Sequence, residues 1–418
     1  MLGFGYFGIS AVWATYNAFV PIFLANKFGL NAAFIGTFMA LDNIAALLIQ
    51  PPVGAWSDRW RTRFGRRLPF ILVGAPLAAA ACGLIPSATA LPLFLASTTT
   101  FLLSMAFWRT PFTALIPDIT PSPYRSQANG IINAIGVLGA MLAFFVGATL
   151  YKQDPAYPFW AGAGLLLLVA GSITVFIKEP LVFAGKEAPI SLLNSFLHIL
   201  RDPDRSSLRL LLAIFCWFVS NNAIDAFISL YAVHHLGLAV TSGARLLGLF
   251  TVSYVIFAVP AGLLGGRFGR RISVLCGIAI MGSFGLLQYL LPARLLTIEL
   301  VVLPVLGAVP LIGLTLMVGG IGWTLVNVNS LPMVMDSTGE LRVGAYIGLF
   351  FLFSTLGAIV GPVVNGLIIQ WGGGDYSLTM LAGPLFMLAA FLLMLGVRRG
   401  EAVNPLKSSM ESSLHGRV

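Results

Sequence analysis

Long apolar runs broken by short polar intervals set the pattern of this 418-residue chain. Twelve runs predict helices near 2–25, 32–55, 69–88, 92–117, 127–150, 158–177, 207–234, 243–265, 272–292, 302–333, 343–369 and 376–397. Runs of roughly 20 apolar residues are long enough to cross a hydrocarbon core of about 30 Å. A backbone in lipid must satisfy its own polar groups, which leaves helices or closed barrels. These runs are too long and too apolar for barrel strands, so the pattern predicts an all-α membrane protein of twelve transmembrane helices. The longest polar interval, 178–209, contains PISLLNSFLHILRD, in which Ile190, Leu193, Leu197 and Leu200 recur at helical spacing. A short amphipathic helix on the membrane surface is expected there.

Composition agrees: 58% of residues are hydrophobic and 9% charged, where a soluble domain carries about 25% charged residues. The net charge of +9 could suggest nucleic acid, but the basic residues sit in short loops between apolar runs, so no nucleic-acid partner is expected. Their distribution orients the chain instead. With both termini cytoplasmic, the inner loops and tail hold 19 of the 24 Lys and Arg; the outer loops hold 4, and Arg109 lies inside the fourth span. Cys82, Cys216 and Cys276 all fall inside apolar runs, so neither a disulfide nor a metal site is expected. The first run lacks a basic flank and a small-residue cleavage site, and is read as a span rather than a signal peptide.

Two motifs recur six helices apart. GAWSDRWRTRFGRR after the second span has a counterpart in GLLGGRFGRR after the eighth: Gly54 matches Gly262 at an offset of 208, and Gly65 matches Gly269 at 204. PDITPSPYRSQANGIINAIGVLG pairs with MDSTGELRVGAYIGLFFLFSTLG, aligning Asp118 with Asp336 and Gly139 with Gly357, both at 218. Two pseudo-symmetric six-helix bundles are therefore expected, at 1–178 and 207–397, joined by a linker at 179–206 and followed by a disordered tail at 398–418. Repeats of this kind mark secondary transporters whose halves rock about a site near mid-membrane.

The G-x-x-x-D-R then G-R-R loop resembles the signature of the major facilitator superfamily. Six residues separate Asp58 from Gly65, a longer spacer than the common pattern. With QPPVG at 50–54 and ALIPDITP at 114–121, the loop is similar to plant sucrose–proton symporters and their animal and bacterial relatives. The resemblance implies alternating access and uptake of a glycoside driven by a proton gradient. It also implies that helices one, four, seven and ten line the central path. The plant members carry an acid on helix four and an arginine further along it; the matching positions here are Leu102 and Thr113, with Arg109 one turn from Thr113.

A charge near the bilayer centre costs at least about 2.5–3.5 kcal/mol on insertion scales. Asp42, Arg109 and Asp225 are the clear cases, and they are the proton-coupling candidates. Asp42 is expected to pair with Arg109, either as a lock between two helices or as a pair that changes when a proton or substrate arrives. Asp225 has no obvious basic partner in its half. Tyr6, Ser10, Trp13 and Asn17 share one face of the first helix. Trp13, Trp108, Trp217 and Trp323 place one indole on each path-lining helix. A sugar offers C–H faces to indole and hydroxyls to Asn, Asp or Arg, so the expected substrate contacts are Trp13, Asn17, Trp108, Arg109, Trp217, Asn222, Asp225, Trp323 and Asn327. Trp56, Trp60, Trp160 and Trp371 lie near span ends, as interfacial belt residues do.

The charged loop ends predict a gate. Asp58, Arg59, Arg66, Arg67, Asp118 and Arg125 in the first half, and Arg270, Arg271, Asp336 and Arg342 in the second, are expected to form contacts across the cytoplasmic seam that favour the outward-open state and break when the inner side opens, with Asp118 and Asp336 in reach of the arginine pairs Arg66/Arg67 and Arg270/Arg271. Gly266 stands where a counterpart of Asp58 would, so the gate should be lopsided. The sequence contains no phosphate-cradling loop, metal-ligand cluster or nucleophile–base pair, which argues against an enzyme. The expectation is a monomeric, plasma-membrane, proton-coupled symporter of a sugar or glycoside such as sucrose or maltose, without a cofactor. Sodium is the alternative ion. An organic-anion carrier or exporter is the rival within transport, and a lipid scramblase is the rival of another class.

Overall fold

A computed structural model describes residues 2–60, 62–120, 125–177, 179, 192–303, 307–338 and 343–401. Among them are twelve spanning helices: α1 (Leu2–Lys27), α2 (Ala32–Arg59), α3 (Leu68–Leu84), α4 (Leu91–Ile119), α5 (Arg125–Gln153) and α6 (Tyr157–Phe176) in a first bundle. The second bundle holds α7 (Ser206–His234), α8 (Val240–Phe268), α9 (Arg270–Leu290), α10 (Leu311–Met335), α11 (Val343–Trp371) and α12 (Tyr376–Leu395). Eleven are long and apolar enough to cross a membrane, and α3, at 17 residues, is shorter. Both ends of the described chain lie at one face, called here the terminal face; the opposite one is the far face.

The tenth helix starts later than its apolar run suggests. Instead of helix from 302, β1 (Glu299–Leu303) and β2 (Gly307–Pro310) form an antiparallel hairpin pairing Val301 with Val309, and α10 begins at Leu311. The stretch ELVVLPVLGAVP is rich in β-branched residues and proline, which disfavour helix and suit a hairpin. The linker helix forms at Leu192–Arg201. It docks on the second bundle through Phe196, whose ring lies 5.9 Å from that of Phe353, and through buried Ile199, while Leu197 and Leu200 stay exposed. Ile190 falls outside the described residues. Arg399 then ties the linker down, 2.8 Å from Asp202 and 2.7 Å from Asp204.

The halves repeat in packing as well as in sequence. Gly139 of α5 presses on the Phe7 backbone of α1, and Gly357 of α11 presses on the Phe215 carbonyl of α7. These pairs keep the offset of 218 seen in the motifs and fix one of 208 between α1 and α7. Contacts between the bundles cluster toward the far face. A side chain at Gly36 of α2 would strike the Pro362 carbonyl of α11, and one at Gly366 would strike the Ala32 carbonyl. The symmetry counterpart joins α5 to α8, where a Cβ at Gly248 would lie 2.8 Å from the Phe145 ring. The molecule is thus sealed at its far end by two related helix pairs.

Candidate functional site

A cavity of about 380 Å³ lies beneath that seal, within the usual range for small-molecule sites. It runs along α1 from Asn17 to Tyr6, roughly 16 Å at the helical rise. Every lining residue except Asp225 comes from the first bundle. Tyr6, Ser10, Trp13 and Asn17 all reach it, so the polar stripe read on the first helix forms one wall. From α4 come Leu102, Ala106 and Arg109, spaced by four and three residues on a single face.

Three charges share this space. Helix α2 breaks at Ala40, and just below the break the Asp42 carboxylate accepts from the Asn43 amide at 2.6 Å and from its side chain at 2.7 Å. Arg109 lines the same cavity, yet forms no hydrogen bond or ion pair among the described residues. The expected Asp42–Arg109 ion pair is therefore not closed, because Asn43 already holds the carboxylate. Asp225 accepts from Asn17 Nδ2 at 3.1 Å, a contact that crosses between the bundles. A smaller, mostly apolar pocket in the second bundle, with Asn221, Phe250 and Gln288 in its wall, borders the other side of Asp225.

The tryptophans divide. Trp13 is in the cavity wall, edge-on to Tyr16 and Phe101, and its indole N–H is buried without a hydrogen-bond partner among the described residues. Of the four indoles read on path-lining helices, Trp13 is the one that lines this cavity. Trp108 is 0% exposed, turned a helical step away from Arg109 and wedged between Gly74 and Phe112. Trp217 is also 0% exposed, and Trp323 sits edge-on to Phe218; both belong to the core of the second bundle. Asn222 donates back to its own helix at Phe218, and Asn327 accepts from Tyr254, so neither reaches the cavity. Trp56, Trp60, Trp160 and Trp371 are exposed near span ends.

At the terminal face the arginine clusters form bonds within each half. Arg66 meets Asp118 at 2.6 Å; Arg67 meets Asp118 at 3.2 Å and also bonds Asp58 and Ser57. In the second half Arg270 bonds Asp336, while Arg271 turns to the carbonyls of Met394 and Leu395. Arg59 is exposed. The Arg125 side chain and all of Arg342 lie outside the described residues.

Two carboxylates in these clusters escaped the sequence reading. Glu179, with a side chain 1% exposed, accepts from the Arg67 and Leu68 amides at the start of α3 and lies 3.6 Å from Arg66 Nε. Glu401 accepts from the Arg270 and Arg271 amides at the start of α9. Each completes a helix N-terminus that lacks a capping side chain of its own. Gly65 and Gly269, at φ of 105° and 99°, make the turns that aim those amides. The signal was present in the sequence, since each half ends its last helix with an acid within a few residues, in IKEP and VRRGE.

Twelve helices in two related bundles, around a charged cavity sealed at one end, define a multi-pass membrane transporter. The family model for the Major Facilitator Superfamily matches residues 2–292 and 243–414. The chain belongs to that superfamily. Among proteins it is similar to, the sucrose transport protein SUC3 of Arabidopsis thaliana is 26% identical over 174 residues. That match covers 36% of this chain and 29% of the plant protein, so the chain spans under a third of the length of that relative. The uncharacterized symporter YnaJ of Bacillus subtilis is 25% identical over 395 residues, covering 88% of this chain and 81% of that one. In fold, a crystal structure of a mutant of the nucleoside transporter NupG matches with a TM-score of 0.75 at 17% identity, covering 95% of this chain and 99% of that one.

Proposed function

We propose that this transporter is a proton-coupled symporter of a sugar or glycoside, a disaccharide such as sucrose or maltose, working by alternating access. The observation that carries the reading is the cavity itself: two carboxylates and a guanidinium with no hydrogen-bond or ion-pair partner among the described residues, beside a half-buried indole. Arg109 donates to hydroxyl and ring oxygens of the solute, Asp225 accepts from a hydroxyl, and the Trp13 face packs on C–H groups. The similarity to a sucrose transport protein supports the solute class, and that to a symporter supports coupling to an ion.

Asp42 is the coupling acid. A proton on Asp42 removes a negative charge from beside Arg109 and frees the guanidinium for the solute; loss of the solute restores the attraction and favours proton release. Sugar and proton are thereby bound and released together. The terminal-face clusters around Arg66 and Arg270 set the shape of each bundle's moving end. The protein acts as a monomer in the plasma membrane, with both termini in the cytoplasm and the cavity in contact with that side. The unpaired Arg109 also favours one second reading, a carboxylate-bearing solute. Uptake into proteoliposomes, against a panel of labelled glycosides and sugar acids with and without a proton gradient, separates the two.

A further inference from the structure

We propose that the Asn17–Asp225 hydrogen bond is a latch on the pseudo-twofold axis that holds the far face shut, and that a solute hydroxyl reaching the cavity floor releases it. The offset between Asn17 and Asp225 is 208, the value fixed between α1 and α7 by the matched packing of Phe7 and Phe215. The two residues are therefore equivalents in the two halves. Equivalent positions that meet at 3.1 Å must lie beside the axis relating the bundles. The far seal flanks that axis symmetrically, with α2 on α11 to one side and α5 on α8 to the other. Those flanking contacts are made of glycine, alanine, proline and phenylalanine. Between them, Asn17 to Asp225 adds a polar link, a side-chain hydrogen bond that joins the halves directly.

The bond is also placed to sense the cavity. Both residues line its deep end, and Asn17 is the one hydrogen-bond donor to Asp225 among the described residues. A hydroxyl arriving there offers the same kind of donor. Exchanging an amide N–H for a solute O–H leaves Asp225 satisfied while breaking the link between bundles. Occupancy is thereby converted into freedom to open at the far face. The latch stands on the geometry alone; the identity of the competing solute rests on the sugar reading.

The test places a cysteine in the seal, Ala32→Cys, and follows its modification by a membrane-impermeant maleimide applied from the far face, with the unsubstituted chain as background. Without any solute, Asn17→Ala and Asp225→Ala are each expected to speed modification roughly tenfold, in line with a hydrogen bond to a charged group. The double variant is expected to go no further than either single one, because both remove the same bond. Rates like that of the unsubstituted latch in both single variants, or additive effects in the double, overturn the proposal. Sucrose is expected to speed modification when the latch is intact and to change nothing in Asn17→Ala. Fast single variants with no response to sucrose would leave the latch standing and count against the sugar reading instead.

Discussion

Asp42 sits just below a helix break with its carboxylate held by Asn43 and within the same cavity as Arg109. Asp42→Asn keeps the shape and removes the carboxylate proposed as the proton site. Gradient-driven accumulation should vanish while sugar exchange across the same vesicles persists; accumulation by the variant would exclude Asp42 as the coupling acid. Trp13 and Trp108 should part in a similar comparison. Trp13→Ala is expected to weaken solute affinity about tenfold through lost stacking. Trp108→Ala should instead destabilise the bundle, on the order of 3–5 kcal/mol, as large core truncations do, seen as a lower melting temperature in detergent. Trp13 and Asn17, read from a polar stripe, and Arg109 and Asp225, read as charges embedded in spans, all line the cavity, because a polar residue in a span has few other places to go. Periodicity could not tell Trp108 from Trp13. An indole is equally at home against a sugar or a phenylalanine, and only the rotation of α4 decides between them.

Each helix existed in the sequence as an apolar run, and the runs were legible because lipid tolerates little else. The start of α10 was not, because β-branched residues and prolines near a span end are apolar without being helical. The far seal was also hidden: a close approach at Gly36 and Gly366 depends on which helices become neighbours. Gly366→Leu should hold the far face open by striking the Ala32 carbonyl. It is expected to cut transport by at least tenfold while raising far-face labelling; normal transport would mean that the seal does not close during the cycle. The terminal clusters were legible as residues, with Asp118 and Asp336 in reach of the arginine pairs, but their carboxylate caps were not. Charge counting cannot show that Glu179 caps α3, or that the pairs close inside a bundle. Glu179→Ala leaves two amides at the start of α3 without their acceptor, while Arg66 keeps Asp118, and should cost about 1–3 kcal/mol of stability. Asp58→Asn should slow transport yet hold equilibrium solute binding within a few fold. On the linker, Ser206 holds the Asp204 carboxyl below its ordinary range, aided by Arg399. Its stabilising effect is present above the ordinary value near about pH 4 and is lost only as pH falls through the lowered one. Linker docking should therefore not change between about pH 5 and pH 8.

The whole molecule has two bundles that share a packing plan but not a chemistry. The first supplies nearly all of the polar cavity, and the second offers Asp225 and an apolar pocket behind it. In this conformation the far end is sealed, and a transport cycle requires that seal to open while the terminal face closes. A proton gradient of one pH unit carries about 1.4 kcal/mol per proton, enough for about tenfold accumulation of a solute moved one-for-one. The most direct measurement is uptake of labelled sucrose and maltose by purified protein in proteoliposomes, with an acidic exterior and with the gradient collapsed by a protonophore. Accumulation several-fold above equilibrium, lost with the protonophore and lost in Asp42→Asn, is the predicted result. Accumulation that ignores the proton gradient, or no uptake of either sugar, would contradict a proton–sugar symporter.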